Sequence, residues 1–290
     1  MKGIFMKLSL AVISLGEAEL KSILTELKSE KIHWQDVADK PRILKSMLDH
    51  IGTTDSELRD QLIYTTFYRL IVENNQIEIE LLTELLDFSI DELLFKGIGE
   101  KDTDTVFTRA FTTLLIALIL YRDNHENFLP PSTIFSVKEK LMKYIDWEKD
   151  LRGFIAGKGW AHSVAHVADT VDELVKNPKL NIDDYPEILR TLWRKILISS
   201  SVYVHGEDER LLTPILEMLE RGLHILEIEK LLESLPNELK IQKEQMEDEK
   251  YFFLVFNIKL FLKTFHIKIN GNAKLLPLQK KIEQSLEKIY

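Results

Sequence analysis

Apolar residues recur every three or four positions along nearly the whole chain, the spacing of amphipathic helices. No run alternates at period two between turn residues, so the sequence predicts no β-strand. About twelve helical segments follow from this pattern. They are Glu17–Glu30, Pro41–Ile51, Asp55–Glu73, Ile77–Phe95, Asp104–Asp123, Ser132–Glu148, Gly159–Lys176, Asp184–Ser200, Glu207–Arg221, Ile225–Leu235, Glu238–Ile267 and Leu275–Ile289. Asp55, Asp104 and Glu207 supply acidic helix starts, which suit the free N–H groups and the positive end of the dipole. Ser132 or Thr133 is expected to cap the segment after Pro130–Pro131. Asn177–Pro178 is expected to end a helix, because proline removes a donor and clashes with the preceding turn. Asn270–Gly271–Asn272 reads as a turn.

From Asp55 onward the segments fall into pairs. The first helices of successive pairs start at 55, 104, 159 and 207, intervals of 49, 55 and 48 residues. That is close to the two-helix period of HEAT and armadillo arrays. The expected fold is therefore all-α: stacked helical hairpins in an α-α superhelix, with residues 17–290 forming one helical-repeat domain behind an N-terminal extension, 1–16. In such an array equivalent loops lie along one edge. Six of the eleven glycines sit in three such loops: Gly97 and Gly99, then Gly153, Gly157 and Gly159, then Gly206. The three loops are expected to line one rim.

Composition narrows the classes of function. The chain has 290 residues, a net charge of −9 and no cysteine. An acidic chain is poorly suited to nucleic acid, where Lys and Arg must neutralise phosphates. Without cysteine there is no disulfide, thiolate metal site or cysteine nucleophile, which fits a cytoplasmic location. The apolar run Leu114–Tyr121 falls far short of the roughly 20 residues that span a bilayer and is expected to be a buried helix. The short apolar start, Leu8–Leu15, is read as part of a non-cleaved extension.

The densest chemistry lies at Asp150–Leu174, DLRGFIAGKGWAHSVAHVADTVDEL. Placed on a helix, Trp160, Val164, Val167, Val171 and Leu174 fall within roughly 80° of one another, and His162, His166, Asp169 and Glu173 form a second stripe about 200° away. Histidines at i and i+4 present two imidazoles to one side, the spacing by which a helix offers two ligands to a metal. Asp169 is the candidate third ligand. The residues between the histidines are Ser163, Val164 and Ala165, so no general base of the HExxH kind is supplied. A solvated polar face and an organic or phosphorylated ligand site are the alternatives. The rim is expected to gather Glu100, Asp102, Asp104, Arg109, Arg152, Lys158, Trp160, His162, His166, Glu207, Asp208 and Arg210. Such a mixture of charges can be a ligand pocket or a salt-bridge network between repeats. The spacing of Gly153, Lys158 and Gly159 is not that of a P-loop.

The stretch R-G-F-x-x-G-K-G-W-A-H-x-x-A-H-x-A-D, from Arg152 to Asp169, resembles the signature of an uncharacterised bacterial family, domain of unknown function 2785. GIGEKDTDTVFTRAF, from Gly97, and GEDERL, from Gly206, resemble two further segments of it. The resemblance implies an all-helical bacterial protein and supplies no activity.

Two functions compete. One is a non-enzymatic binding module for a protein, peptide or small ligand, with no cofactor and a site formed by Asp104, Arg109, Arg152, Lys158, Trp160, His162, His166, Asp169, Glu207 and Asp208. The other is a hydrolase holding a divalent metal ion on His162, His166 and Asp169. Trp34, Trp147 and Trp193 are expected in the core. The phenylalanines crowding 252–265 are expected to be core too, with a homodimer surface as the alternative.

Overall fold

The computed structural model describes residues 13–289, so most of the expected N-terminal extension, residues 1–12, lies outside the described residues. The chain is all-α, with twelve α-helices among the described residues. It divides into two compact units, Met1–Lys179 and Leu180–Tyr290.

The first unit opens with α1 (Glu17–Lys28) and α2 (Lys40–Asp49), the latter capped by the Asp39 carboxylate on the Arg42 N–H at 3.1 Å. The next helix runs from Glu57 to Glu73. Its flanks, Glu57–Tyr64 and Arg69–Glu73, are wound as π-helix around the short α3 (Thr65–Tyr68). Asp55 starts it as expected, its Oδ1 accepting from the N–H groups of Glu57 and Leu58. There follow α4 (Ile79–Phe88), extended by a π turn over Ser89–Leu93, then α5 (Thr105–Glu126), α6 (Pro131–Trp147) and α7 (Ser163–Lys176). Pro131 itself is the first residue of α6, where its missing N–H costs nothing, so neither Ser132 nor Thr133 is the cap.

α5 is the centre of this unit. It is the one described helix long and apolar enough to cross a membrane, yet 89% of its most apolar window is buried inside the protein, as for a core helix. It packs against both the 57–73 helix and α7. Gly52 allows the turn after α2 to press onto α5: a Cβ there would fall 2.6 Å from the Thr108 Cα.

The expected helix Gly159–Lys176 begins four residues late. Residues 154–160 instead form a minimal β-hairpin, β1 (Phe154–Ile155) against β2 (Gly159–Trp160). The glycines explain it. Gly157 and Gly159 have φ of +76° and +81°, outside the helical region, between residues of high β-propensity. Trp160 is therefore not on the helical stripe where the periodicity put it.

The second unit contains α8 (Tyr185–Ile196), α9 (Glu207–Glu220), α10 (Ile225–Gln245), α11 (Asp248–Ile269) and α12 (Leu276–Lys288). Its core includes Trp193 edge-on to Phe261, ring centroids 6.0 Å apart, with Leu211, Ile215, Ile258 and Phe265 also buried. The expected break near Pro236 is absent. Pro236 lies inside α10, and the chain turns instead at Met246 and Glu247. Phe261 and Phe265 are core, but Phe252 and Phe256 face outward. Trp34 and Trp193 are buried as expected. Trp147 is not: it is half exposed and meets Phe95 edge to face.

Candidate functional site

The hairpin has two faces, as a two-residue period requires. Phe154 pairs with Trp160 and Ile155 with Gly159. Ile155 packs inward on Val106, Phe107 and Ala161. Phe154 and Trp160 point outward, 53% and 39% exposed, their rings edge to face at 5.2 Å. Two further backbone bonds extend the pairing toward α7, from the N–H of Ala161 to the Gly153 carbonyl and from that of His162 to Arg152.

The hairpin is held from beneath by Arg59, a residue the sequence pattern did not single out. Its side chain is fully buried. Nη2 donates to the Lys158 carbonyl at 2.7 Å and, at 3.4 Å, to that of Trp160; Nη1 donates to the Thr53 carbonyl at 2.7 Å. The guanidinium rests over the rings of Phe107 and Phe111, at 4.2 and 4.9 Å from their centroids. Its Nε lies 2.8 Å from Asp60 Oδ1, an ion pair whose angle falls short of an aligned hydrogen bond. Burial raises the Asp60 carboxyl above its ordinary range, and Arg59 opposes that shift. Gly159 makes the approach possible. A Cβ there would sit 2.8 Å from the Ser56 Cβ and 3.0 Å from Arg59 Nη2.

From Trp160 a chain of rings runs into the core. His162 caps α7 in a left-handed conformation, φ 51°, and stacks on Trp160 at 4.8 Å with 23° between planes. His166 lies 5.7 Å from His162 and meets Phe111 edge-on at 5.1 Å. The two histidines are thus neighbours, as their i, i+4 spacing predicts. The polar stripe, however, is not a solvated face, since His166 is buried against α5. Asp169, one turn further along α7, is half-buried. Among the described residues no three or more His, Asp or Glu side chains are grouped as for a metal ion.

The charged residues of the 97–105 and 148–163 segments hold these segments together. Arg109, expected on the rim, is fully buried. It makes a two-pronged pair with Glu148 at 2.7 and 3.0 Å and donates through Nη1 to the carbonyls of Lys96 and Gly97 and to Thr105 Oγ1. Asp150, 2% exposed, receives Arg152 Nε and Nη2 at 2.8 and 2.6 Å and the Asp102 N–H at 3.0 Å. Hydrogen bonding to Asp150 raises the Arg152 pKa. Arg152 also donates to the Thr103 carbonyl, and Ser163 Oγ to that of Asp150. Lys158, at the hairpin turn, grips both oxygens of Asp104 at 2.7 and 2.8 Å. Glu100 accepts from Thr105 and Thr103, which lowers its pKa.

Within the first unit, then, Asp104, Arg109, Arg152, Lys158, Trp160, His162 and His166 belong to one connected region. Glu207 and Asp208 belong to the second unit. Both are buried there, Glu207 accepting the His205 N–H and Asp208 the Thr264 hydroxyl. Asn257 of α11 secures the loop before them, accepting from the Tyr203 N–H and donating to the carbonyls of Ile198 and Ser201, each at 2.9 Å. Sequence reasoning missed Arg59, Glu148, Asp150 and Asn257. Asp150 opens the D-L-R-G run and Glu148 lies two residues before it, so proximity to the motif could have flagged both. Arg59 and Asn257 carry no local signal.

The family model for a protein of unknown function, DUF2785, matches residues 94–267. No curated protein and no solved structure matches the chain. The matched span contains the hairpin, all of α5 to α9 and the loop that Asn257 holds, and covers more than half of the sequence. The chain belongs to the DUF2785 family of proteins of unknown function.

Proposed function

We propose that this protein is a binding module, and that its site is the outer face of the hairpin: Trp160 with Phe154 beside it and His162 stacked behind. One observation carries the reading. Two large aromatic side chains are held out toward water on a strand pair that is locked from three directions. Arg59 takes its carbonyls, Lys158 ties its turn to Asp104, and Ile155 anchors its inner face. The part of Trp160 and Phe154 left in water gains nothing for the fold, since apolar area stabilises only when removed from water. Rigid aromatic area is what binding surfaces use, because little side-chain entropy is lost on contact. The partner expected is a protein, peptide or small ligand that lays a planar or apolar group on Trp160.

The charged residues around the hairpin act mainly as its frame. Arg109, Arg152, Lys158 and Asp104 spend their hydrogen bonds on Glu148, Asp150 and the 97–105 backbone. The hydrolase reading, with a divalent metal on His162, His166 and Asp169, has the adjacency of the two imidazoles in its favour, with no carboxylate grouped with them as a third ligand among the described residues.

The test uses Trp160→Ala and Phe154→Ala. Phe154→Ala, at a half-exposed ring, should melt close to wild type, and Trp160→Ala, which gives up the stack on His162, should melt modestly lower while remaining folded. Compounds or peptides that raise the wild-type melting temperature in a screen should lose that effect in both variants. Retained binding in Trp160→Ala would remove the hairpin from the site.

A further inference from the structure

The outward face of α11 has a pattern that belongs to no part of the hairpin site. Phe252 and Phe256 are 66% and 50% exposed, and Ile267 is 70% exposed. Glu249, Phe252, Phe256, Lys259 and Lys263 step along the helix by three and four residues, the seam spacing of a two-helix coiled coil. They fall within roughly 80° on the side opposite the buried Leu254, Ile258, Phe261 and Phe265. The charge along this helix is divided. Glu247, Asp248 and Glu249 stand at its start, and Lys259, Lys263 and Lys268 in its second half.

We infer that this face joins a second copy of the chain through an antiparallel pairing of α11 with its equivalent. A closed two-fold contact must be complementary to itself, and this helix is so only when the two copies run in opposite directions. With the axis beside residues 257 and 258, Phe256 meets the partner's Lys259 and Phe252 meets the partner's Lys263. Each phenylalanine ring then faces an ammonium, and the acidic start of each helix lies along the basic half of the other. A parallel pairing sets lysine on lysine and acid on acid. The side chains at the seam centre are aromatic and exposed, so the pairing also removes apolar area from water. One helix face is smaller than the usual interface of about 800 Å² per partner, so the dimer forms in a concentration-dependent equilibrium.

Sedimentation equilibrium of the full chain over a range of concentrations tests this. Wild type should dimerise, more weakly as salt rises. Phe252→Glu with Phe256→Glu should give a monomer with an unchanged helix signal and melting temperature. Glu249→Lys or Lys263→Glu alone should raise the dimer Kd by about tenfold or more, and the two together should restore much of it. Direction is read by cross-linking, which is clean because the chain has no cysteine. Phe256→Cys should be joined by a short bis-maleimide. Ile267→Cys should not, since the two copies of that position lie about 28 Å apart along an antiparallel pair. A monomer at every concentration, a dimer indifferent to the double glutamate variant, or efficient joining through Ile267→Cys would each overturn the inference.

Discussion

The guanidinium of Arg59 donates to the carbonyl of Lys158, 99 residues further along the chain, at 2.7 Å. That bond fastens a hairpin of four paired residues to the helix that opens the first paired segment. Arg59→Ala would take a donor from the part-buried carbonyls of Thr53, Lys158 and Trp160 and leave Asp60 without its cation. A loss of about 3–5 kcal/mol is expected in urea unfolding. Arg59→Lys should recover little, because an ammonium cannot fork between two carbonyls or lie flat on Phe107 and Phe111.

Arg109 and Glu148 should show the asymmetry of a buried ion pair. Either Arg109→Met or Glu148→Leu alone strands a buried charge and should cost about 3–5 kcal/mol, whereas the double variant should lie much closer to wild type. A double-mutant cycle by chemical denaturation measures the difference. An additive result would mean that the bonds of Arg109 to Lys96 and Gly97, rather than its pair with Glu148, dominate.

Two glycines two residues apart separate backbone strain from steric contact. Gly157→Ala meets open space and should cost only the strain of a positive φ, about 1 kcal/mol. Gly159→Ala adds a collision with Ser56 and Arg59, so it should be the more damaging by melting temperature. It should also shift the fluorescence of Trp160 as the hairpin lifts.

Asp60 carries a pH dependence with a definite sign. Its carboxyl is raised in the folded state, chiefly by burial, above the ordinary 3.8. The folded protein therefore holds this proton more tightly than the unfolded chain does. The stability linked to it is present below the ordinary value and is lost as pH rises through the folded pKa. Wild type should lose stability relative to Asp60→Asn between strongly acidic and neutral pH, as read from paired urea titrations.

Metal removal separates the two functional readings. If the hairpin is a binding surface, dialysis against a chelator should leave the melting temperature unchanged, and elemental analysis of the purified protein should find no stoichiometric metal. One metal per chain, lost in His162→Ala, would favour the hydrolase.

Much of the architecture was legible because helix periodicity is a local property. The spacing of Leu, Ile and Val marked the helices, Asp55 and Asn177 marked two of their ends, and His162 and His166 were placed side by side by spacing alone. The errors share a cause. Gly157 and Gly159 interrupt the helical pattern where the chain folds back, and an apolar count does not register a positive φ. The expected separation of Ile225–Leu235 from Glu238–Ile267 is replaced by a helix that runs on through Pro236, packed against α11 and α12. Arg109 was expected on the rim, in a ligand pocket or a salt-bridge network, and its buried counterion, Glu148, 39 residues away, could not be read from spacing.

The all-α class, the location of the glycine-rich junctions and the resemblance to the family were properties of the sequence, since each is carried by residues close together in the chain. Only the tertiary structure decided which charges are framework and which rings face water. Arg59 stands out only when it is seen beneath the hairpin, and Trp160 only when its neighbours leave one face uncovered. Burial and pairing are set by residues distant in the chain, and one-dimensional spacing holds no record of them.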